Sequence, residues 1–261
     1  MWGLRQEHDE SMILMKGIKG LQAAVGLLTT VPVPVGIDPC CGIPWFPMLG
    51  TALGGVVALV MYGCGTLLGW HTGGAVLAVG VMVVLTGALH VDGLADAADS
   101  CGVRGIEEKL RVMRDPHVGS FGVAAIVLTT LFKMVSIQTL SQQAFILWMI
   151  LPCALSRAAQ VLTLVTLPYI REAGKGKVFS DAVRPVHAVF AVLWCIGLGW
   201  WLMNGVVVWV LAGVGLVLAA LLLAIKRVYG GITGDLIGAV SELTECATWG
   251  LLVLIEIKLN V

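Results

Sequence analysis

Charged residues are scarce in this 261-residue chain, where Asp, Glu, Lys and Arg together make up only 12% of the residues. The 16 basic and 16 acidic residues cancel, so the chain lacks the net positive charge of a typical nucleic-acid-binding protein. It also lacks Cys-x-x-Cys pairs and Cys/His clusters with zinc-like spacing, although it has seven cysteines. These absences argue against nucleic acid as a partner and against structural zinc, and we interpret the cysteines as reduced packing residues.

Segments that would divide the chain are lacking too. It has no low-complexity stretch, no repeat of fixed period and no linker long enough to separate two domains. We therefore expect residues 1–261 to form a single domain. The polar segment 5–11 is not followed by an apolar core with a small-residue cleavage site, so a removable signal peptide is not expected.

Hydrophobic residues are abundant, at 58% of the chain, and they are grouped in runs long enough to cross a bilayer. This pattern predicts an all-α, polytopic helical membrane protein with about seven transmembrane helices, embedded in the lipid bilayer. The predicted crossings are 48–70, 73–91, 118–138, 144–168, 186–203, 205–225 and a shorter one at 246–258.

The apolar run from Ile18 to Val35 is interrupted by Pro32 and Pro34, which favours an N-terminal interfacial or re-entrant element over a full crossing. Further on, Gly50 and Gly54 have the spacing that lets two membrane helices approach closely, and we interpret them as packing residues.

If that first run does not cross, most lysines and arginines fall on one side of the membrane, which the positive-inside rule identifies as the cytoplasm. The conspicuous acidic residues fall on the same side. We therefore expect a bacterial or archaeal cytoplasmic (inner) membrane protein whose active site faces the cytoplasm. The basic residues concerned are Lys16, Lys19, Arg104, Lys109, Arg111, Arg114, Arg171, Lys175, Lys177, Arg184, Lys226 and Arg227.

Three aspartates, Asp92, Asp96 and Asp99, follow the 73–91 run at offsets of 0, 4 and 7 residues. On a helix they fall within about 60° of one another, and carboxylates on one face suit a divalent cation such as Mg²⁺. A solvated helix end is the alternative. His90 lies about 160° from Asp92 if the helix is continuous, so it is either a packed histidine or a candidate base.

Two further groups of charged residues lie beside or inside apolar runs. Arg114 and Asp115 precede the 118–138 run and could meet a phosphate or a metal, or mark a simple loop-to-helix junction. Arg157 lies inside an apolar run and Arg171 follows it. A buried arginine requires a partner, either an acid of the helix bundle or a ligand phosphate.

Near the C-terminus a glycine-rich segment, 230–234, precedes Asp235. Glu242 lies seven residues further on the same helix face, and Glu245 lies one turn beyond it. These acids could form a second set of metal ligands or supply a general base, whereas the alternative is a polar inter-helix loop. The segment is not a P-loop, because the Lys-Ser/Thr ending is missing.

Taken in order, these motifs resemble the cobalamin synthase family, the adenosylcobinamide-GDP ribazoletransferases. One departure is Ser100-Cys101 after Asp99, where glycine is expected, and it leaves the aspartates intact. The likeness covers most of the chain, through TVPVP at 30–34, FPMLG at 46–50, HVDGLADAAD at 90–99, MRD at 113–115, GSFG at 119–122, Arg157, LPYIR at 167–171, Gly174, GITGD at 231–235 and GA at 238–239.

The resemblance implies a Mg²⁺-dependent transfer of the adenosylcobinamide-phosphate group of adenosylcobinamide-GDP to α-ribazole or its 5′-phosphate, with release of GMP. Phosphoryl transfer needs charge neutralisation, positioning and a base for the attacking hydroxyl. Whether the protein forms a homo-oligomer is left open. The predicted roles are metal binding for Asp92, Asp96 and Asp99, catalysis for His90, Asp235 and Glu242, and substrate binding for Arg114, Asp115, Arg157, Arg171, Thr233 and Glu245.

Two other functions could use similar residues. A membrane phosphotransferase acting on CDP-alcohols also has spaced aspartates, but Ala-Arg should then follow the first Asp-Gly, where this chain has Leu94-Ala95. A cation transporter would be expected to place its carboxylates at mid-span.

Overall fold

A computed structural model describes residues 17–142, 145–171 and 175–259 of the chain. This part is helical, apart from loops and one isolated parallel β-bridge between Tyr169 and Ile232. Short 3₁₀ segments or a π-helical turn adjoin several helices. The helices are α1 (Gly17–Leu28), α2 (Phe46–Met61), α3 (His71–Thr86), α4 (Leu89–Ser100), α5 (Ile106–Val112), α6 (Ser120–Gln142), α7 (Ile150–Thr166), α8 (Lys175–Ala182), α9 (Pro185–Met203), α10 (Val207–Tyr229) and α11 (Gly234–Leu259).

Five helical stretches of the described chain are long and apolar enough to cross a membrane, and α3 with α4 makes a sixth if that bent pair is one crossing. The polytopic all-α prediction is therefore confirmed, while the number seven stays a prediction. One stretch, Pro185–Tyr229, has 45 residues and is broken at Asn204, so it has length for two crossings of about 20 residues. The other four are Pro39–Leu67, Ser120–Gln142, Ile146–Thr166 and Gly234–Leu259.

The predicted 73–91 crossing is not one straight helix. α3 ends at Thr86, Ala88 takes a left-handed conformation with φ 56°, and α4 leaves at an angle of 90°. The backbone N–H of Thr30 donates to the carbonyl of Leu85 over 2.7 Å, which satisfies one of the carbonyls left free at the helix end. The aspartates and His90 therefore lie on a separate short helix, which is not a straight continuation of α3.

Helix α1 has 12 residues in the described part of the chain, and the interfacial or re-entrant element stays a prediction. Gly50 and Gly54 pack against α7 as predicted. A Cβ atom at Gly54 would lie 2.5 Å from the carbonyl oxygen of Ile150, so only glycine allows the two backbones to approach so closely. Helices α4 and α7 each pack on α11, and these three helices carry most of the candidate site.

Candidate active site

The aspartate helix α4 crosses the start of α11 at very short range. A Cβ atom at Gly93 would lie 2.7 Å from the backbone oxygen of Asp235, and one at Gly238 would lie 3.3 Å from the backbone of His90. This contact brings Asp235 close to Asp92 and Asp96, and the carboxylate of Asp96 interacts electrostatically with those of Asp92 and Asp235. Two segments separated by about 140 residues thus supply one acidic group, as the sequence predicted for Asp235.

Asp99 has a different environment from the other two aspartates of α4. Its two carboxylate oxygens accept hydrogen bonds from the backbone N–H groups of Gly119 and Gly122, at 2.7 and 2.8 Å. These N–H groups lie at the start of α6, where helix geometry leaves them without partners and where a negative charge is favourable. In this structure Asp99 therefore fixes α6 to α4, and its assignment to metal stays a prediction.

The glycine-rich segment before α11 forms the second side of the site. The backbone N–H of Ile170 donates to the carbonyl of Ile232, and the N–H of Ile232 donates to the carbonyl of Pro168, so that residues 168–171 run beside residues 231–233. As a result the guanidinium of Arg171 lies 2.7 Å from the carboxylate of Asp235. The buried hydroxyl of Thr233 accepts a hydrogen bond from the N–H of Leu236 and caps α11, so its polar atoms serve the helix rather than an open surface.

A cavity of about 260 Å³ opens beside this pair. Its polar lining includes Asp92 and Asp235 from the acidic group, Arg171, Tyr169 and His90. The rest of the wall is largely apolar and comes from α1, α2, α7 and α8. Negative and positive side chains and a hydroxyl group therefore converge on one cavity, which is the arrangement expected of a site for a charged organic substrate.

His90 is 4% exposed and lies at the junction of α4, α7 and α11. The amide Nε2 of Gln160 lies 2.9 Å from Nε2 of His90 and donates to the hydroxyl of Ser241 at 2.8 Å. Sequence reasoning missed Gln160, because an uncharged residue in an apolar run gives no clear signal.

Glu242, Glu245 and Arg157 do not lie in this cavity. They form a buried charge cluster with Lys133, which lies 2.6 Å from Glu242 and 2.9 Å from Glu245; Arg157 also lies 2.9 Å from Glu245. All four residues are at most 8% exposed. Arg157 thus has an acid of the bundle as its partner, one of the two alternatives that the sequence left open. Lys133 was missed, although a lone lysine in an apolar run is as strong a signal as Arg157.

Arg114 and Asp115 lie in the exposed loop before α6. The backbone N–H and the imidazole of His117 bond to the carboxylate of Asp115 and lower its pKa. Neither residue lines the cavity, so the structure does not bring these two predicted substrate ligands to the acidic group.

The donor chemistry of the acidic group fits Mg²⁺, which binds through one or two carboxylates together with substrate phosphates and water. Within the described ranges no group of three or more His, Cys, Asp or Glu side chains is arranged to hold a metal ion by itself. Asp92 and Asp96 thus fit a metal that arrives with a phosphorylated substrate better than a permanently bound ion.

Comparison with known proteins identifies the family of the chain. A family model described as cobalamin-5-phosphate synthase matches residues 20–253. No solved structure matches the chain.

Among curated proteins, an adenosylcobinamide-GDP ribazoletransferase of Chlorobium chlorochromatii is 39% identical, over 88% of this chain and 94% of its own length. Proteins of the same name from Chlorobaculum tepidum and Ralstonia pickettii are 38% and 34% identical, over 89% and 90% of this chain and 94% and 95% of their own lengths. The match extends over nearly the whole chain, and the chain belongs to the cobalamin-5-phosphate synthase family.

Proposed function

We propose that this protein is an adenosylcobinamide-GDP ribazoletransferase of cobalamin biosynthesis. It transfers the adenosylcobinamide-phosphate group of adenosylcobinamide-GDP to α-ribazole or to α-ribazole 5′-phosphate and releases GMP. The observation that carries the proposal is the family membership, since relatives that match almost end to end bear this name. The cavity at Asp92, Arg171 and Asp235 supplies the groups that the reaction requires.

In the reaction, a hydroxyl of the acceptor forms a bond to the cobinamide-linked phosphorus, and the bond from that phosphorus to the GMP oxygen breaks. Asp92 and Asp96 would hold Mg²⁺, which neutralises charge on the diphosphate when bound. Arg171 faces the phosphate oxygens, and its ion pair with Asp235 keeps the guanidinium at the cavity. Asp235 is placed to take the proton from the acceptor hydroxyl.

Among the predicted catalytic residues, we choose Asp235 as the base because of its position in the cavity. Asp235 lines the cavity, whereas Glu242 is held by Lys133 in the buried charge cluster. The assignments of Mg²⁺ and of Asp235 as base rest on donor chemistry and location.

We also propose that the cavity faces the cytoplasm of the inner membrane. Arg171 lines the cavity, Lys226 and Arg227 lie in the last turn of α10 shortly before the start of α11, and basic residues collect on the cytoplasmic side. Both substrates are charged or polar, so an opening to the aqueous cytoplasm gives them direct access.

The test is an assay of the purified protein with Mg²⁺, adenosylcobinamide-GDP and α-ribazole, in which GMP and the corrinoid product are both measured. We expect equal amounts of the two products, and no product from Asp92→Asn. Chelation with EDTA should stop the reaction and added Mg²⁺ should restore it. GMP release without α-ribazole, or no release at all, would contradict the proposal.

A further inference from the structure

The cavity beside the acidic group has an apolar wall that phosphoryl transfer does not require. Phe46 and Phe179 contribute aromatic rings whose centroids lie 6.4 Å apart, and Leu28 and Leu164 add aliphatic surface. Phe46, Phe179 and Leu28 are each at most 7% exposed in the folded chain, so these side chains form a preformed wall rather than a surface patch. Such a wall fits a flat apolar group of limited size.

His90 adds one polar group to that wall, and its contact with Gln160 indicates which of its ring nitrogens carries the proton. A Gln160 amide nitrogen only donates hydrogen bonds, so Nε2 of His90 must accept from it across their 2.9 Å contact. In the neutral ring the proton then lies on Nδ1. That Nδ1 atom is buried and has no partner in the described structure. A buried N–H donor without a partner is costly, which favours a ligand with an acceptor atom at this point.

We infer that this cavity binds the heteroaromatic base of the acceptor nucleoside, with the rings of Phe46 and Phe179 against the base and Nδ1 of His90 donating to its unsubstituted ring nitrogen. The inference rests on the proposed function, whose acceptor, α-ribazole, carries a bicyclic base with one such nitrogen. In this arrangement His90 is a hydrogen-bond donor that determines specificity, rather than the general base that the sequence predicted.

The competing ligand groups fit the cavity less well. The volume of about 260 Å³ is below the range of about 300–1,000 Å³ typical of sites for drug-sized ligands, and the corrin macrocycle is larger still. A guanine base presents several donors and acceptors, which would need more partners than His90 and Gln160 provide on the apolar wall. A bicyclic base with one acceptor nitrogen leaves the fewest polar groups unpaired.

The test compares two acceptors in wild-type protein and in His90→Phe. One acceptor is α-ribazole, and the other is the same α-riboside with the free ring nitrogen replaced by C–H. We expect wild-type protein to show a KM for the C–H analogue about tenfold higher than for α-ribazole, since one buried hydrogen bond is lost. In His90→Phe the two KM values should become similar, while the KM for adenosylcobinamide-GDP stays unchanged. An unchanged KM ratio in a folded variant would overturn the inference.

A second pair of variants tests the aromatic wall and does not depend on the stability of His90→Phe. Phe179→Ala should raise the KM for α-ribazole about tenfold with little change in the KM for adenosylcobinamide-GDP. Phe190→Ala is the matched control, because Phe190 is an aromatic residue on α9 that does not line the cavity. Equal KM values for α-ribazole in the two variants would contradict the inference.

Failure of the proposed function can be separated from failure of this inference. Calorimetric titration of α-ribazole and its C–H analogue into wild-type protein and Phe179→Ala measures binding without turnover. If wild-type protein releases no GMP yet binds α-ribazole more tightly than the analogue, and Phe179→Ala loses that binding, the cavity assignment stands and the reaction is wrong. If GMP is released but Phe179→Ala binds α-ribazole like wild type, the reaction stands and the cavity assignment is wrong.

Discussion

At the scale of single residues, the three aspartates of α4 have the same chemistry but different neighbours. Asp92 lines the cavity, Asp96 interacts with Asp92 and Asp235, and Asp99 binds the first N–H groups of α6. From their spacing in the sequence, the three aspartates are predicted to be equivalent metal ligands. The structure instead predicts that substitutions at the two ends of the motif have different consequences.

Asp92→Asn should reduce kcat at least about 100-fold with an unchanged unfolding transition, because the side chain keeps its size and makes no ion pair or hydrogen bond with the described residues. Asp99→Asn should lower the free energy of unfolding by about 1 kcal/mol, since the charge and one acceptor at the start of α6 are lost. Kinetics and denaturant unfolding in detergent micelles measure the two effects. An Asp99→Asn protein with wild-type stability but no activity would instead support metal binding.

The buried charge cluster makes a second prediction at this scale. Lys133→Met leaves Glu242 and Glu245 with one fewer cation in a buried site, so it should cost about 3–5 kcal/mol of stability. The double variant Lys133→Met/Glu242→Gln should recover part of that loss. Lys177→Met is the matched control, because the side chain of Lys177 is 41% exposed in its pair with Asp181 and such pairs contribute about 0–1 kcal/mol. Equal losses in Lys133→Met and Lys177→Met would show that the cluster is not structural.

At the scale of helices, the site depends on how closely α4 lies on α11. Gly93 is in direct contact with the backbone of Asp235, so the distance between the two acidic segments is set by the absence of a side chain. Helix α11 also carries Asp235 at its first turn and Glu242 and Glu245 two to three turns further in, which places cavity and charge cluster on one rigid element.

Gly93→Ala should therefore separate α4 from α11, lower the free energy of unfolding by about 1–3 kcal/mol and reduce kcat/KM. Gly80→Ala on α3 is the control, because a Cβ atom there meets no atom within 4 Å. Thermal unfolding and the GMP assay on the same preparations check the prediction. If the two alanine variants behave alike, the close approach of α4 and α11 does not determine the site.

The sequence predicted several elements correctly for reasons that are local. Pro32 and Pro34 interrupt the first run, the spacing of Gly50 and Gly54 indicates helix contact, and the aspartates of α4 share a periodic face. It was less successful where an outcome depends on a distant partner. The partner of Arg157 could not be assigned, because Glu245 is 88 residues away, and the role of Asp99 depends on a loop 20 residues further along.

The break between α3 and α4 was missed for a related reason. Gly87 ends α3 in a left-handed conformation and is a helix-ending signal that the sequence reasoning overlooked, whereas Ala88 carries no such signal. The turn is also held by Thr30, which is 55 residues away from Leu85. The length of the last crossing was underestimated, at 246–258 against Gly234–Leu259, because Asp235, Glu242 and Glu245 lower its hydropathy. Buried ion pairs neutralise the two glutamates, which a count of apolar residues cannot anticipate.

At the scale of the whole molecule, orientation in the membrane is the property that connects fold and function. Basic residues lie near the cavity, whereas the turn between α9 and α10 at Asn204 and Gly205 carries no lysine or arginine. The positive-inside rule therefore predicts that the cavity lies on the cytoplasmic side and Asn204 on the opposite side.

Cysteine labelling in intact cells tests this orientation, in a background where the seven native cysteines are replaced. A membrane-impermeant maleimide should label Asn204→Cys and miss Lys177→Cys. Both positions are accessible in the folded chain, since Asn204 is exposed and the side chain of Lys177 is 41% exposed, so a difference reports on the side of the membrane rather than on burial. Permeabilised cells are the control, because both variants should then be labelled. The reverse pattern in intact cells would place the cavity outside the cytoplasm, where adenosylcobinamide-GDP made inside the cell could not reach Asp92 and Arg171.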